Sequence, residues 1–69
     1  MKRYPIVIEH GPTGCSAYSP DLPGCVAVGE TREETIQLIR EAIELHIESL
    51  RENGEPVPVP HSSVEKIGV

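Results

Sequence analysis

The residues best equipped for chemistry are three histidines, two cysteines and an aspartate set among prolines: His10, His46, His61, Cys15, Cys25 and Asp21. A thiol becomes a nucleophile when an imidazole takes its proton, so Cys15 or Cys25 beside His10 would make a small thiol enzyme conceivable. Nothing in the local spacing enforces that pairing, and a lone histidine near a strand end is usually structural. Asp21 could act as a catalytic acid only with a second acid, and Glu9 is the only strand carboxylate near it in sequence.

Other chemistries lack their motifs. Paired Cys/His ligand spacings and HExxH are absent, which argues against zinc. Gly29-Glu30-Thr31 places an acid where a phosphate would need donors. The glutamates gather on one helix face instead of converging in a pocket, whereas catalysis needs positioned groups with tuned pKa values. The chain therefore reads as non-enzymatic, with no catalytic, cofactor-binding or metal-binding residues. With no secretory signal, the two cysteines read as free thiols.

The positioning elements follow from the apolar pattern. Residues 3–10, "RYPIVIEH", alternate as a strand with Tyr4, Ile6, Ile8 and His10 on one face. Pro5 removes a donor, which suits an edge or a strand beginning. "GPTG" supplies a turn, and residues 14–19 and 25–29 fit a second and a third strand. Between them stands Ser19-Pro20-Asp21-Leu22-Pro23-Gly24-Cys25. Pro23-Gly24 suits the centre of a type II turn, and Asp21 is expected to accept from backbone N–H groups two residues on. Cys25 then opens the third strand as a small buried hydrophobe.

Thr31 to Asn53 reads as one long helix. Thr31-Arg32-Glu33-Glu34 is a capping box, and Asn53-Gly54 with Pro56 is a stop. Ile36, Ile39, Ile43, Ile47 and Leu50 form a stripe that should pack on the sheet. Leu38, Ala42, Leu45 and Ser49 form a second set, with Thr35 and His46 between the two. That flank is expected to contact another molecule, because small domains gain stability by self-association. Glu41, Glu44, Glu48 and Glu52 occupy the remaining face, a solvated surface or a ridge that steers a basic partner. "EPVPVPH" favours an extended connector, and "SSVEKIGV" reads as a fourth strand. The order predicts a two-layer α+β domain, β-β-β-α-β, with an antiparallel sheet and one helix on one face.

The 69 residues carry eleven acids against six bases, for a net charge of −5. Direct nucleic-acid binding is disfavoured and a basic protein partner favoured. No leader or membrane span is visible, so a cytoplasmic protein comprising one domain over 1–69 is expected.

Tyr18 to Cys25, then Ala27-x-Gly29-x-Thr31-x-Glu33-Glu34, an amphipathic helix and a Gly54-to-Pro58 connector resemble the HicB family of antitoxins. The resemblance covers nearly the whole chain. It implies a partial ribonuclease-H-like fold, dimers or tetramers, and binding that neutralises a small basic mRNA-cleaving HicA toxin in a type II toxin–antitoxin system. Asp21, Leu22, Pro23, Gly24 and Cys25 mark the turn. Leu38, Ala42 and Leu45, with Glu41, Glu44 and Glu48, are the candidate oligomer or partner contacts. Thr35 stands where family members often carry alanine, which reads as a small change on the helix flank. Typical members add a C-terminal DNA-binding domain for which this sequence has no room, so operator binding does not carry over. A solitary regulatory or scaffolding role is the alternative reading.

Overall fold

The computed structural model describes residues 2–69. Three short strands, β1 (Val7–His10), β2 (Cys15–Tyr18) and β3 (Val26–Gly29), form an antiparallel sheet in the order β1-β2-β3, followed by α1 (Arg32–Glu52). This is the α+β arrangement expected from the sequence. The first strand is shorter than its apolar pattern, starting two residues after Pro5, which has no N–H to offer a ladder.

The register fixes the two faces of the sheet. Ile8, Ala17 and Ala27 stand side by side, as do His10, Cys15 and Gly29. Cys15, Ala17 and Gly29 are buried, whereas Tyr18, Val26 and Val28, from the alternate positions, are exposed. The inner face is thus built from small residues, and α1 packs on β3 and β2.

That smallness sets the rotation of the helix. The residues α1 buries most deeply are Thr35 and Ile39, with Ile36, Ala42, Ile43, His46, Ile47 and Leu50 half-buried. The most deeply buried line is therefore shifted from the centre of the isoleucine stripe towards Thr35. A Cβ on Gly29 would lie 2.6 Å from the Thr35 hydroxyl, so strand and helix touch there with no room for a side chain. Thr35 is consequently a core residue and not a flank substitution. Its hydroxyl donates to the Thr31 carbonyl at 2.7 Å, which satisfies it in the interior. On the β1 side, Ile36, Ile43 and Ile47 line an open apolar groove of about 560 Å³ with Tyr4 and Ile6.

The helix ends where its caps stand. Thr31 is extended, and its hydroxyl accepts from the Glu34 N–H at 3.1 Å. At the other end, Gly54 adopts φ +68°, its N–H donates to Arg51, and the Glu55 N–H donates back to Leu50. This is the Schellman arrangement, and glycine relieves the steric cost of its left-handed residue.

The expected fourth strand does not form. Residues 55–69 run without helix or strand. Pro56, Pro58 and Pro60 offer no N–H for a ladder, and the segment is held instead by isolated polar contacts. The Tyr4 hydroxyl donates to the Pro58 carbonyl at 2.6 Å. Beyond Ser62 the side chains are exposed, including Val64 and Ile67.

Candidate interaction surface and the DLPG clasp

The Ser19–Cys25 turn is built as its residue types require. The Leu22 N–H donates to the Ser19 carbonyl, the Cys25 N–H donates to the Leu22 carbonyl, and the Ser19 N–H donates to the Cys25 carbonyl. Gly24 takes φ +88°, the positive value a type II turn demands at its third position. Leu22 is fully buried, and Ser19, Asp21 and Cys25 are nearly so.

Asp21 does something other than cap its own turn. Its carboxylate receives the His61 N–H at 3.2 Å, the Ser62 N–H at 3.1 Å and the Ser62 hydroxyl at 2.5 Å. The His61 Nε2 lies 3.2 Å away as well. The expected local acceptance from residues two further on is replaced by a clasp on a segment 40 residues away. The hydrogen bond from the Ser62 hydroxyl holds the Asp21 carboxyl below its ordinary value, with help from the two backbone N–H groups and the His61 charge, against the opposing cost of burial. No sequence pattern announced this partnership, because Asp21, His61 and Ser62 become neighbours only through the fold.

The two cysteines have different surroundings, and both are free. The Cys25 thiol points at the helix and reaches the Ala42 carbonyl at 3.7 Å, and burial pushes its pKa up. Cys15 faces β1, with its Sγ 3.3 Å from His10 Nδ1. The fold therefore brings together the Cys15/His10 pair and not the Cys25/His10 pair. Among the described residues, no three His, Cys, Asp or Glu side chains converge to hold a metal ion.

The candidate contact residues are split by the helix rotation. Leu45 is 67% exposed and Leu38 lies at the edge of exposure, but Ala42 is turned partly towards the sheet. Glu41, Glu44 and Glu48 are exposed beside the leucines, with Glu52 one turn on. Among the described residues, no lysine or arginine forms an ion pair with any of these carboxylates. The surface is thus an apolar edge bordered by carboxylates without ion-pair partners, their charge offset in part by Arg40 and Arg51 on the same helix. Among the described residues, no helix is long and apolar enough to cross a membrane.

Comparison with known proteins accounts for nearly the same span. A sequence model of the HicB-like antitoxin of bacterial toxin–antitoxin systems matches residues 4–68. A UPF0150 protein of Synechocystis is 46% identical over 56 residues, covering 81% of this chain and 71% of that protein. A UPF0150 protein of Thermoplasma acidophilum is 37% identical over 57 residues, covering 81% and 83%. Antitoxin HicB 2 of Photorhabdus laumondii is 32% identical over 63 residues, which are 91% of this chain. The chain spans 45% of that antitoxin's length.

Proposed function

The chain belongs to the HicB-like antitoxin family, and from that premise we propose that it is a cytoplasmic binding module that neutralises a small basic HicA-like mRNA-cleaving toxin. The observation that carries this reading is the acidic face of α1, unpaired with lysine or arginine, beside Leu38 and Leu45. A cationic partner meeting Glu41, Glu44, Glu48 and Glu52 supplies the direct ion pairs these carboxylates lack, and complementary charge raises the encounter rate and rejects acidic competitors. Leu38 and Leu45 provide the apolar contact that charge alone lacks, since energetic anchors at interfaces are the desolvated side chains. Neutralisation here is occupancy: the antitoxin covers the toxin's RNA-binding surface with its own negative charge and needs no catalytic group.

Co-expression tests the proposal. The full chain should restore growth of cells carrying a HicA-like toxin encoded beside its gene and should co-purify with that toxin. Reversing Glu41, Glu44 and Glu48 to lysine together should abolish rescue while leaving the circular dichroism spectrum helical. Undiminished rescue by the triple variant would remove the helix face from the mechanism. No rescue by the unaltered chain, with no basic neighbour to capture, would favour a solitary regulatory role.

A further inference from the structure

Opposite the turn that clasps the C-terminal segment, β1 and β2 close at their last pair, His10 with Cys15. The Gly11 N–H donates to the Gly14 carbonyl to end this hairpin, and Gly14 abuts Gly29, where a Cβ would sit 2.6 Å from the Gly29 carbonyl oxygen. Absence of side chains at these glycines leaves a cleft of about 520 Å³, lined by His10 and Cys15 and rimmed by Glu9, Glu30 and Glu34. Within it the Cys15 Sγ stands 3.3 Å from His10 Nδ1.

We propose that Cys15 is a modification site, a thiol with His10 placed as its general base and reached through the cleft by small uncharged electrophiles, hydrogen peroxide being the simplest. With the ring proton on Nε2, His10 Nδ1 accepts the Sγ proton as the sulfur attacks. The S–O bond forms and the peroxide O–O bond breaks. The departing hydroxide takes the proton from the imidazolium and leaves as water. Sulfur is oxidised by two electrons to sulfenic acid, and the peroxide is reduced. The carboxylates of Glu9, Glu30 and Glu34 select the reagent, because an anion entering the cleft meets three like charges. Cys25 is the internal control: it is equally free, more deeply buried, and its thiol reaches the Ala42 carbonyl where that of Cys15 meets an imidazole nitrogen. The inference does not depend on which partner the helix binds.

The test is alkylation of the full chain by iodoacetamide, with Cys15- and Cys25-containing peptides quantified separately by mass spectrometry. Sulfur displaces iodide here, and the thiol proton again passes to His10. In the native protein Cys15 should react at least about tenfold faster than Cys25, and the two rates should converge in urea. Iodoacetate should discriminate against native Cys15 more strongly than against the unfolded chain. Peroxide followed by a sulfenic-acid trap should label Cys15. His10→Gln should slow Cys15 by about tenfold or more while retaining the helical spectrum. Equal native rates at the two cysteines, or a rate at Cys15 indifferent to His10→Gln, would overturn the proposal. The comparison between cysteines needs no variant, so it decides the matter even if His10→Gln does not fold.

Discussion

Asp21 ties two distant parts of the chain together, and its chemistry makes that tie depend on pH. Its folded carboxyl titrates below the ordinary value of 3.8, chiefly because the Ser62 hydroxyl donates to the ionised form. As pH falls, the unfolded chain therefore takes up the proton first, and the native state loses stability relative to it. The contribution of the clasp is fully present above 3.8 and disappears as pH drops through the lower folded value. Asp21→Asn should lower the melting temperature at neutral pH and raise amide exchange at His61 and Ser62. The gap between variant and wild type should shrink in melts recorded at acid pH. A gap of the same size at both pH values would show that the carboxylate charge is not what holds the segment.

Gly29 makes a different demand, set by space. Gly29→Ala would push a methyl onto Thr35, whose hydroxyl and backbone N lie 2.6 and 3.0 Å from the ideal Cβ position. Both neighbours sit in the capped first turn of α1, so neither yields cheaply. A loss of about 1–3 kcal/mol, the usual cost of overpacking, should appear in urea denaturation. Pairing Gly29→Ala with Thr35→Ala should recover part of it, because the second change removes the atom struck first.

At the scale of elements, the helix was legible almost to the residue. Its start follows from a hydroxyl that can accept an N–H, and its stop from an Asn-Gly pair followed by proline. Both are local chemistry that the sequence carries in full. Thr31→Ala should cost about 1 kcal/mol in urea denaturation, and Thr31→Ser should recover most of it. A neutral Thr31→Ala would mean that packing of Thr35 and Ile39 alone sets the helix start. The rotation of that helix was not legible. Apolar periodicity points to the isoleucine stripe, but the approach of the helix depends on Ala17 of β2 and Ala27 and Gly29 of β3, and those small residues admit Thr35 deepest. The fourth strand failed for a related reason. The segment "SSVEKIGV" reads as a strand, but Asp21 takes the backbone N–H of Ser62 at its start and the side chains beyond Ser62 are exposed. The Cys15–His10 contact was conceivable from the residue types, but only the strand register selects Cys15 over Cys25.

For the molecule as a whole, one helix on three short strands leaves apolar surface on several sides. Val26 and Val28 are exposed on the outer face of β3, Leu45 on the helix flank, and a groove opens between β1 and α1. Domains of this size bury a modest fraction of their surface and commonly complete their cores by association. A homodimer or tetramer through the Leu38–Leu45 flank would cover the leucines, but it would also bring two acidic ridges together, so charge limits how closely the copies approach. The outer sheet face carries less of that penalty, with Glu9 standing in the row of Ser16 and Val28. Leu45→Glu should shift sedimentation towards the monomer if the flank joins the copies, whereas Val28→Glu should do so if the outer sheet face joins them. In the second case the flank remains available to a basic partner, and Leu45→Glu should weaken toxin capture while leaving the oligomer intact. Sedimentation of the two variants, followed by toxin pull-down with each, thus separates self-association from partner binding. A Leu45→Glu variant unchanged in both assays would exclude the helix flank from either interface.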